Sequence, residues 1–274
     1  MSQASQRIAS FRMYEAGAGA RHAWRILAAC VFDDADADIA IVEHAWPKPI
    51  ATLWEDPALN CGFMCGFPFV RSTRAMQPLA APVPAPPRYA RLPRYCSEFL
   101  VHTSLRATNV RETFGHRFGW MAENSQSGFN APRAFLASYA RPRNASLFAQ
   151  SSGPHDTPVR LLSALQQEEV DVIAVDGFYL DLLRHHEPSR LAGLRSIGQT
   201  PWTPIPLLVA APEIEPDVVS RLRLRLTTLH EEAAYRPLLE EVLVERFVDV
   251  DREAYRLLDA MATFAAARSY PSIQ

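Results

Sequence analysis

Four cysteines in 274 residues, Cys30, Cys61, Cys65 and Cys96, are too few for a chain of this size to depend on disulfides, and reduced thiols are the expectation. Cys61 and Cys65, in CGFMC, form the one close pair, and that spacing comes without the second pair or nearby histidine that a zinc site needs. Neither sign of charge dominates. The 28 basic and 30 acidic residues leave a formal net charge of −2, which excludes a global field favouring nucleic acid or an anionic membrane, so any anion site must be local. The longest early apolar run, residues 26–32, is far short of the ~20 residues of a membrane span, and no membrane-embedded segment is expected. The opening MSQASQRIASFRMYEAG has no basic stretch ahead of an apolar core. No secretory leader is read there, and the chain as written is expected in the cytoplasm. EAGAGARH imitates a dinucleotide loop, but His22 stands where the third glycine of GxGxxG is required, so no nucleotide cofactor is indicated.

What is present is a chain of two-lobe size with 48% hydrophobic residues, in which short β-branched or aromatic runs alternate with helical patterns. Residues 8–13, 38–42 and 62–70 read as strands. Trp24, Leu27 and Val31 share one face of a helix starting near Arg21, and PIATLWEDPAL reads as another. Residues 78–93, PLAAPVPAPPRYARLP, carry six prolines that are expected to keep the segment out of a central strand or helix interior, making it an extended connector. Residues 95–102 resume strand character, 104–200 form a self-contained βαβα block, and a second proline-marked crossing follows at 200–211. The spacing predicts an α/β protein in which the chain leaves one lobe, builds a second and returns. Lobe 1 spans 1–97 and 203–274, lobe 2 spans 98–202, and a ligand cleft is expected between them. The C-terminal third reads as helices: one opens at Glu215-Pro216-Asp217 and buries Val219, Leu222, Leu226 and Leu229. A last one, after Asp251, buries Tyr255, Leu258, Met261 and Ala265.

Chemistry concentrates in the middle block. RFGWMAEN ends as a strand, SQSG turns and FNAPRAFLASY continues as a helix, which places hydroxyls and free helix N–H groups where ligands of open α/β sheets bind. Ser127 or Asn130 as a plain helix cap accounts for one polar residue of this elbow but not for the cluster. Downstream, Thr157 and Pro158 mark a helix start with His155 just ahead of it, and VDVIAV is a buried strand delivering Asp176 at its carboxyl end. Asp176 can touch a ligand or cap the following helix, and His155 can serve as a pocket group or a turn residue. His185 and His186, adjacent on a helix, are expected to diverge and not to chelate.

In that order, SQSGFNAPRAF, the GPH before a helix, EEVDVIAVDGF and QTPWTPIPLLV resemble the PhnD-like substrate-binding proteins, the phosphate, phosphite and phosphonate receptors of ABC transporters. IASFRMYEA and LWEDPALNCGFMCGFPFV fit the same layout, so the resemblance covers residues 7 to 210. It implies a type II periplasmic-binding-protein fold, two α/β lobes joined by two crossing strands and closing over a small oxyanion. The ligand-binding residues it implies are Ser125, Ser127, Gly128 and Phe129 at the elbow, His155, and Asp176, with Tyr14, Gly66 and Phe67 on the opposite lobe. It implies no cofactor, no metal and no catalytic residue, and it implies an ABC-transporter permease as partner. Family receptors are exported, so the chain is periplasmic if a leader precedes it, or an intracellular sensor otherwise. The rival reading is a cytosolic enzyme on the same fold, a lyase like chorismate dehydratase, for which Ser, His and Asp in a cleft would be raw material. Against it stand the missing GxSxG elbow and the lack of a metal set. A ligand-gated interaction partner is a third reading.

Overall fold

The helical face carrying Trp24, Leu27 and Val31 is the buried face of α1 (Ala18–Asp34) in the computed structural model, which describes residues 7–43, 48–140 and 146–274. Residues 1–6, on which the cytoplasmic expectation partly rests, lie outside the described residues. The chain divides into two compact units, Met1–Arg94 with Pro204–Asp251 and Tyr95–Thr203 with Arg252–Gln274.

In the first unit, β1 (Ile8–Ser10) leads through Gly17, whose φ of 95° suits glycine, into α1. There follow β2 (Ala40–Ile41), α2 (Ile50–Trp54), β3 (Leu59–Met64), α3 (Gly66–Arg71) and β4 (Gln77–Pro84). β2, β1 and β3 are parallel neighbours. β1 and β3 approach so closely that a Cβ on Gly62 would lie 2.8 Å from the Ser10 carbonyl oxygen. The core is aromatic: Trp24 stacks on Phe11 (6.3 Å, 9°) and meets Phe63 edge-on (4.9 Å, 81°), arrangements that add about 0.5–1.5 kcal/mol per pair beyond burial.

The second unit begins at the crossing strand β5 (Arg94–Tyr95) and continues through β6 (Ser97–His102), β7 (Arg117–Gly119), a π turn (Gln126–Asn130), α4 (Ala131–Ala137), β8 (Gln150–Ser152), α5 (Pro158–Gln166), β9 (Val172–Asp176), α6 (Gly177–His186) and β10 (Leu194–Gln199). Its sheet runs β10-β6-β9-β7-β8. β9 is buried along its whole length, as a strand covered on both faces must be. α5 starts where Thr157 and Pro158 predict: the Thr157 hydroxyl accepts from the Arg160 N–H at 3.1 Å. The chain returns through β11 (Thr203–Pro204), which pairs with β5, to β12 (Leu207–Ala210), α7 (Pro216–Thr228), α8 (Arg236–Glu241) and β13 (Val244–Val248). β4, β12 and β13 complete the first unit's sheet in the order β13-β4-β12-β3-β1-β2.

Several expectations are corrected. The strand read at 62–70 ends at Met64, and Gly66 and Phe67 open α3. The proline segment is not a plain connector, because its first half, residues 77–84, is β4, between two other strands. It tolerates Pro78, Pro82 and Pro84 because residues 77–80 pair with β12 and residues 81–84 pair with β13. Each half thus has one unpaired side to receive the missing N–H. β13 interrupts the supposedly all-helical C-terminal third. The final helix, α9 (Arg252–Ala267), belongs to the second unit, not with residues 203–251. It buries Tyr255, Leu258, Ala262 and Ala265, and Tyr270 and Ile273 beyond it join the second unit's core beside Phe99, Phe118 and Phe129. The His185 and His186 rings do not diverge; they meet edge to face at 4.6 Å.

Candidate functional site

β7, β8 and β9 run parallel, with Gly119 in register with Ser152 on one side and Ile173 on the other. Their carboxyl ends therefore lie side by side, and each delivers one of the segments singled out in the sequence: β7 the residues leading to the elbow, β8 the loop of His155, β9 Asp176. The backbone ties two of these segments together. Trp120 donates its N–H to the Ser152 carbonyl (2.9 Å), and its own carbonyl accepts from the His155 N–H (3.1 Å). Met121 accepts from the Asp156 N–H (2.8 Å) and donates to the Gly128 carbonyl (3.2 Å).

At the elbow the residues divide their roles. Ser125 is the cap: its hydroxyl accepts from the Gly128 N–H at 2.9 Å, and its carbonyl accepts from the Asn130 N–H at 2.9 Å, which closes the wide turn Gln126–Asn130. That turn runs directly into α4. Glycine is required at 128, since a Cβ there would lie 2.6 Å from Met121 Cβ. Asn130, fully buried, does not cap. Its amide donates to Gln126 Oε1 (2.7 Å) and to the Leu258 carbonyl on α9 (2.8 Å), and its Oδ1 accepts from Arg133 (3.1 Å). Ser127 is only 5% exposed. Among the described residues neither its hydroxyl nor its backbone N–H has a hydrogen-bond partner. Ser125 therefore takes the capping role offered to Ser127 or Asn130, and Ser127 is left with two unused donors at the start of a helical segment. Phe129 is buried and meets Trp120 edge-on at 5.2 Å.

His155 is half-buried, with Nε2 3.3 Å from the Ser152 hydroxyl. Burial holds the imidazole below the ordinary histidine range, Glu169 and Asp156 pull it upward, and Arg160 adds to the lowering. It is neutral at pH 7, able to donate one N–H, and gains a charge and a second donor on protonation. Asp176 caps α6: its Oδ1 accepts from the N–H groups of Phe178 (2.8 Å) and Tyr179 (3.1 Å). The three side chains do not form a relay. Ser127 makes no hydrogen bond to His155, the serine beside the ring is Ser152, and the Asp176 carboxylate is engaged by backbone amides. A nucleophile, its base and an orienting acid joined in series are what a serine enzyme would need.

The other three residues lie in the first unit. Tyr14, fully buried, ends a 3-10 turn just after β1, its ring edge-on to Phe63 at 5.1 Å; Gly66 and Phe67, both buried, start α3 directly after β3. Since β1 and β3 are parallel neighbours, these residues share the carboxyl end of that sheet. Burial pushes the thiol of nearby Cys61, on β3, up to about 12.

Sequence reasoning missed Trp120 and Met121, and it offered Asn130 only as a helix cap. The first two work through backbone bonds that leave no mark in a sequence. Asn130 is tied to a carbonyl 128 residues further along the chain.

The chain matches, over residues 58–255, the family described as ABC transporter, phosphonate, periplasmic substrate-binding protein. No curated protein matches it. Among solved structures it is similar to a binding-protein component of an ABC phosphonate transporter from Pseudomonas aeruginosa, at 14% identity and a TM-score of 0.76, covering 96% of this chain and 87% of that one. It is equally similar to PhnD1 from Prochlorococcus marinus in complex with methylphosphonate, at 14% identity and a TM-score of 0.76, over 94% and 97% of the two chains. A Xanthomonas citri protein solved bound to ATP follows at 14% identity and a TM-score of 0.65, over 96% and 98%. At such identities these likenesses establish the two-lobed periplasmic-binding-protein fold.

Proposed function

The chain belongs to the phosphonate-binding, periplasmic substrate-binding protein family of ABC transporters, and from that premise we propose that it captures a small phosphonate or related phosphorus oxyanion at the elbow of Ser125–Phe129 beside His155. The observation that carries this reading is Ser127. Two donors of one nearly buried residue, unused among the described residues, stand at the carboxyl ends of parallel strands and at a helix start, where negative charge is favoured. An oxyanion supplies the acceptors that the fold does not. In this reading His155 adds a donor, Ser125 and Gly128 shape the turn, and Asp176 positions α6 without touching the ligand. Tyr14, Gly66 and Phe67 are proposed as the first unit's contribution to the same binding function, following the resemblance.

The working compartment follows the family: the protein is proposed to act in the periplasm, delivering ligand to an ABC-transporter permease. Among the described residues no helix is long and apolar enough to cross a membrane. Fractionation of cells expressing the native gene tests the compartment, since recovery in the cytoplasm alone would exclude a transport role. The cytosolic-lyase alternative has no support from the family match.

A thermal-shift titration with methylphosphonate, phosphite and inorganic phosphate tests capture itself. A ligand at 100 times its dissociation constant adds ~2.7 kcal/mol of stability. Recovery of the ligand unchanged marks a binder. No stabilisation by any of the three would refute the reading, and turnover would replace it with the enzyme.

A further inference from the structure

We propose that the outer face of α9 (Arg252–Ala267) is a self-association surface, on which a second copy of this chain lays its own α9 antiparallel about a two-fold axis. The inference goes beyond the capture reading and does not depend on it.

α9 carries two apolar faces, and the fold of one chain uses one of them. Tyr255, Leu258, Ala262 and Ala265 turn inward. Leu257, Ala260, Met261 and Phe264 follow a second stripe at the spacing i, i+3, i+4, i+7, the recurrence by which two helices meet along a seam. Met261, at the inner edge of that stripe, is half-buried, with its sulfur 3.6 Å from Gln126 Nε2. Leu257 and Phe264 are 48% and 41% exposed. They are two of the four exposed large hydrophobic side chains among the described residues, so these side chains are gathered on this stripe and not scattered singly.

Opposite charges bound the stripe. Glu253 lies one turn before Leu257, and Arg268 lies one turn after Phe264, with its backbone N–H donating to the Phe264 carbonyl (3.2 Å). The Arg268 guanidinium rests over the Phe264 ring at 5.1 Å, and the Glu253 carboxylate, which accepts from Arg256 at 3.0 Å, is open to solvent. From Glu253 to Arg268 the stripe is therefore symmetric in spacing about the Ala260–Met261 bond and reversed in charge. A second α9 crossing antiparallel at that midpoint sets Leu257 against Phe264 of the second copy and Glu253 against Arg268 of the second copy, and the two-fold axis repeats both pairs. Parallel pairing would oppose Glu253 to Glu253 and Arg268 to Arg268, which repels. The exposed charges here, Arg252, Arg256 and Arg268 against Glu253 and Asp259, nearly cancel, whereas an anionic lipid surface selects a strongly basic helix. The seam is about 22 Å long and one helix wide, less than a standard interface, so the dimer is expected to be weak, with a dissociation constant on the order of 0.1 mM.

The test is sedimentation equilibrium of the full chain from about 10 µM to about 1 mM. The wild type should pass from monomer to dimer over that range, and Leu257→Glu and Phe264→Glu should remain monomeric. Glu253→Arg and Arg268→Glu should each weaken association about five- to thirtyfold, because each turns two attractive pairs repulsive, and the double variant Glu253→Arg/Arg268→Glu should recover it. Should an apolar-to-Glu variant not fold, this charge-swap series, confined to exposed side chains, decides alone. A wild type that is monomeric throughout, a dimer that Leu257→Glu and Phe264→Glu leave intact, or a double charge swap no better than either single one would overturn the inference. So would binding of the wild-type monomer to vesicles of anionic phospholipid that Phe264→Glu abolishes, which would assign the face to a membrane surface. None of these outcomes touches the capture reading, which is tested by ligand titration.

Discussion

Ser125 and Ser127 are two residues apart, almost equally buried, and predicted to fail in opposite ways when each loses its hydroxyl. Ser125 Oγ holds the Gly128 N–H at 2.9 Å, so Ser125→Ala deletes a helix-start cap, a change that costs about 1 kcal/mol of folding free energy. Among the described residues Ser127 Oγ has no hydrogen-bond partner, so Ser127→Ala should leave the ligand-free unfolding curve within about 0.5 kcal/mol of wild type. Its cost appears only with ligand. A hydrogen bond to a charged oxygen is worth about 1.5–3 kcal/mol, roughly ten- to a hundredfold in affinity. For a thirtyfold loss, a methylphosphonate concentration of 100 times the wild-type dissociation constant is only about 3 times that of the variant, and ligand stabilisation falls from ~2.7 to ~0.9 kcal/mol. Urea unfolding with and without methylphosphonate, paired with calorimetric titration, measures both quantities on the same samples. The reasoning is refuted if Ser127→Ala binds normally but unfolds early, for then its hydroxyl serves the fold and the two donors at the elbow are not a ligand site.

His155 should make both stability and binding pH-dependent, in opposite senses. Its folded value lies below the ordinary one, so the unfolded chain binds the proton more readily. Stability contributed by the neutral ring is present above the ordinary value of about 6.5 and is lost as pH falls through it toward the folded value. His155→Ala should flatten that part of the stability profile. An anion should favour the protonated ring, so methylphosphonate binding near pH 6 should take up protons, seen as a buffer-dependent heat that His155→Ala abolishes. Asn130→Ala leaves the Leu258 carbonyl and Gln126 Oε1 without their buried donor and should cost about 2 to 4 kcal/mol in denaturant unfolding, although the residue touches no proposed ligand atom. Asp176→Ala should lose about 1–2 kcal/mol with the α6 cap, whereas Asp176→Asn, which still caps, should restore the stability. An affinity change in Asp176→Asn without a stability change would show that the carboxylate acts on the ligand after all.

Local signals were legible in the sequence because they are written within a few residues of where they act. The apolar spacing of Trp24, Leu27 and Val31 marks the buried face of α1, Thr157-Pro158 marks the start of α5, the all-apolar run before Asp176 marks a buried strand, and the crowding of serine, glycine and asparagine at 125–130 marks a turn into a helix with polar groups to spare. Their order along the chain carried the family resemblance and with it the two-lobed fold. Partnership across the chain was decided only in three dimensions. Nothing local says that residues 77–80 and 81–84 find different neighbours, so a rule that is sound for a strand paired on both sides misjudged β4. The outer charges of VERFV hid a strand whose partner, β4, lies 160 residues earlier in the chain. The last helix joined the second unit because its apolar face meets a core begun at Phe99, and it then supplied the Leu258 carbonyl that occupies Asn130. The serine that caps and the serine left with free donors were likewise told apart by geometry. Both are good caps by type, and only the turn that sets Ser125 Oγ against the Gly128 N–H leaves Ser127 unused.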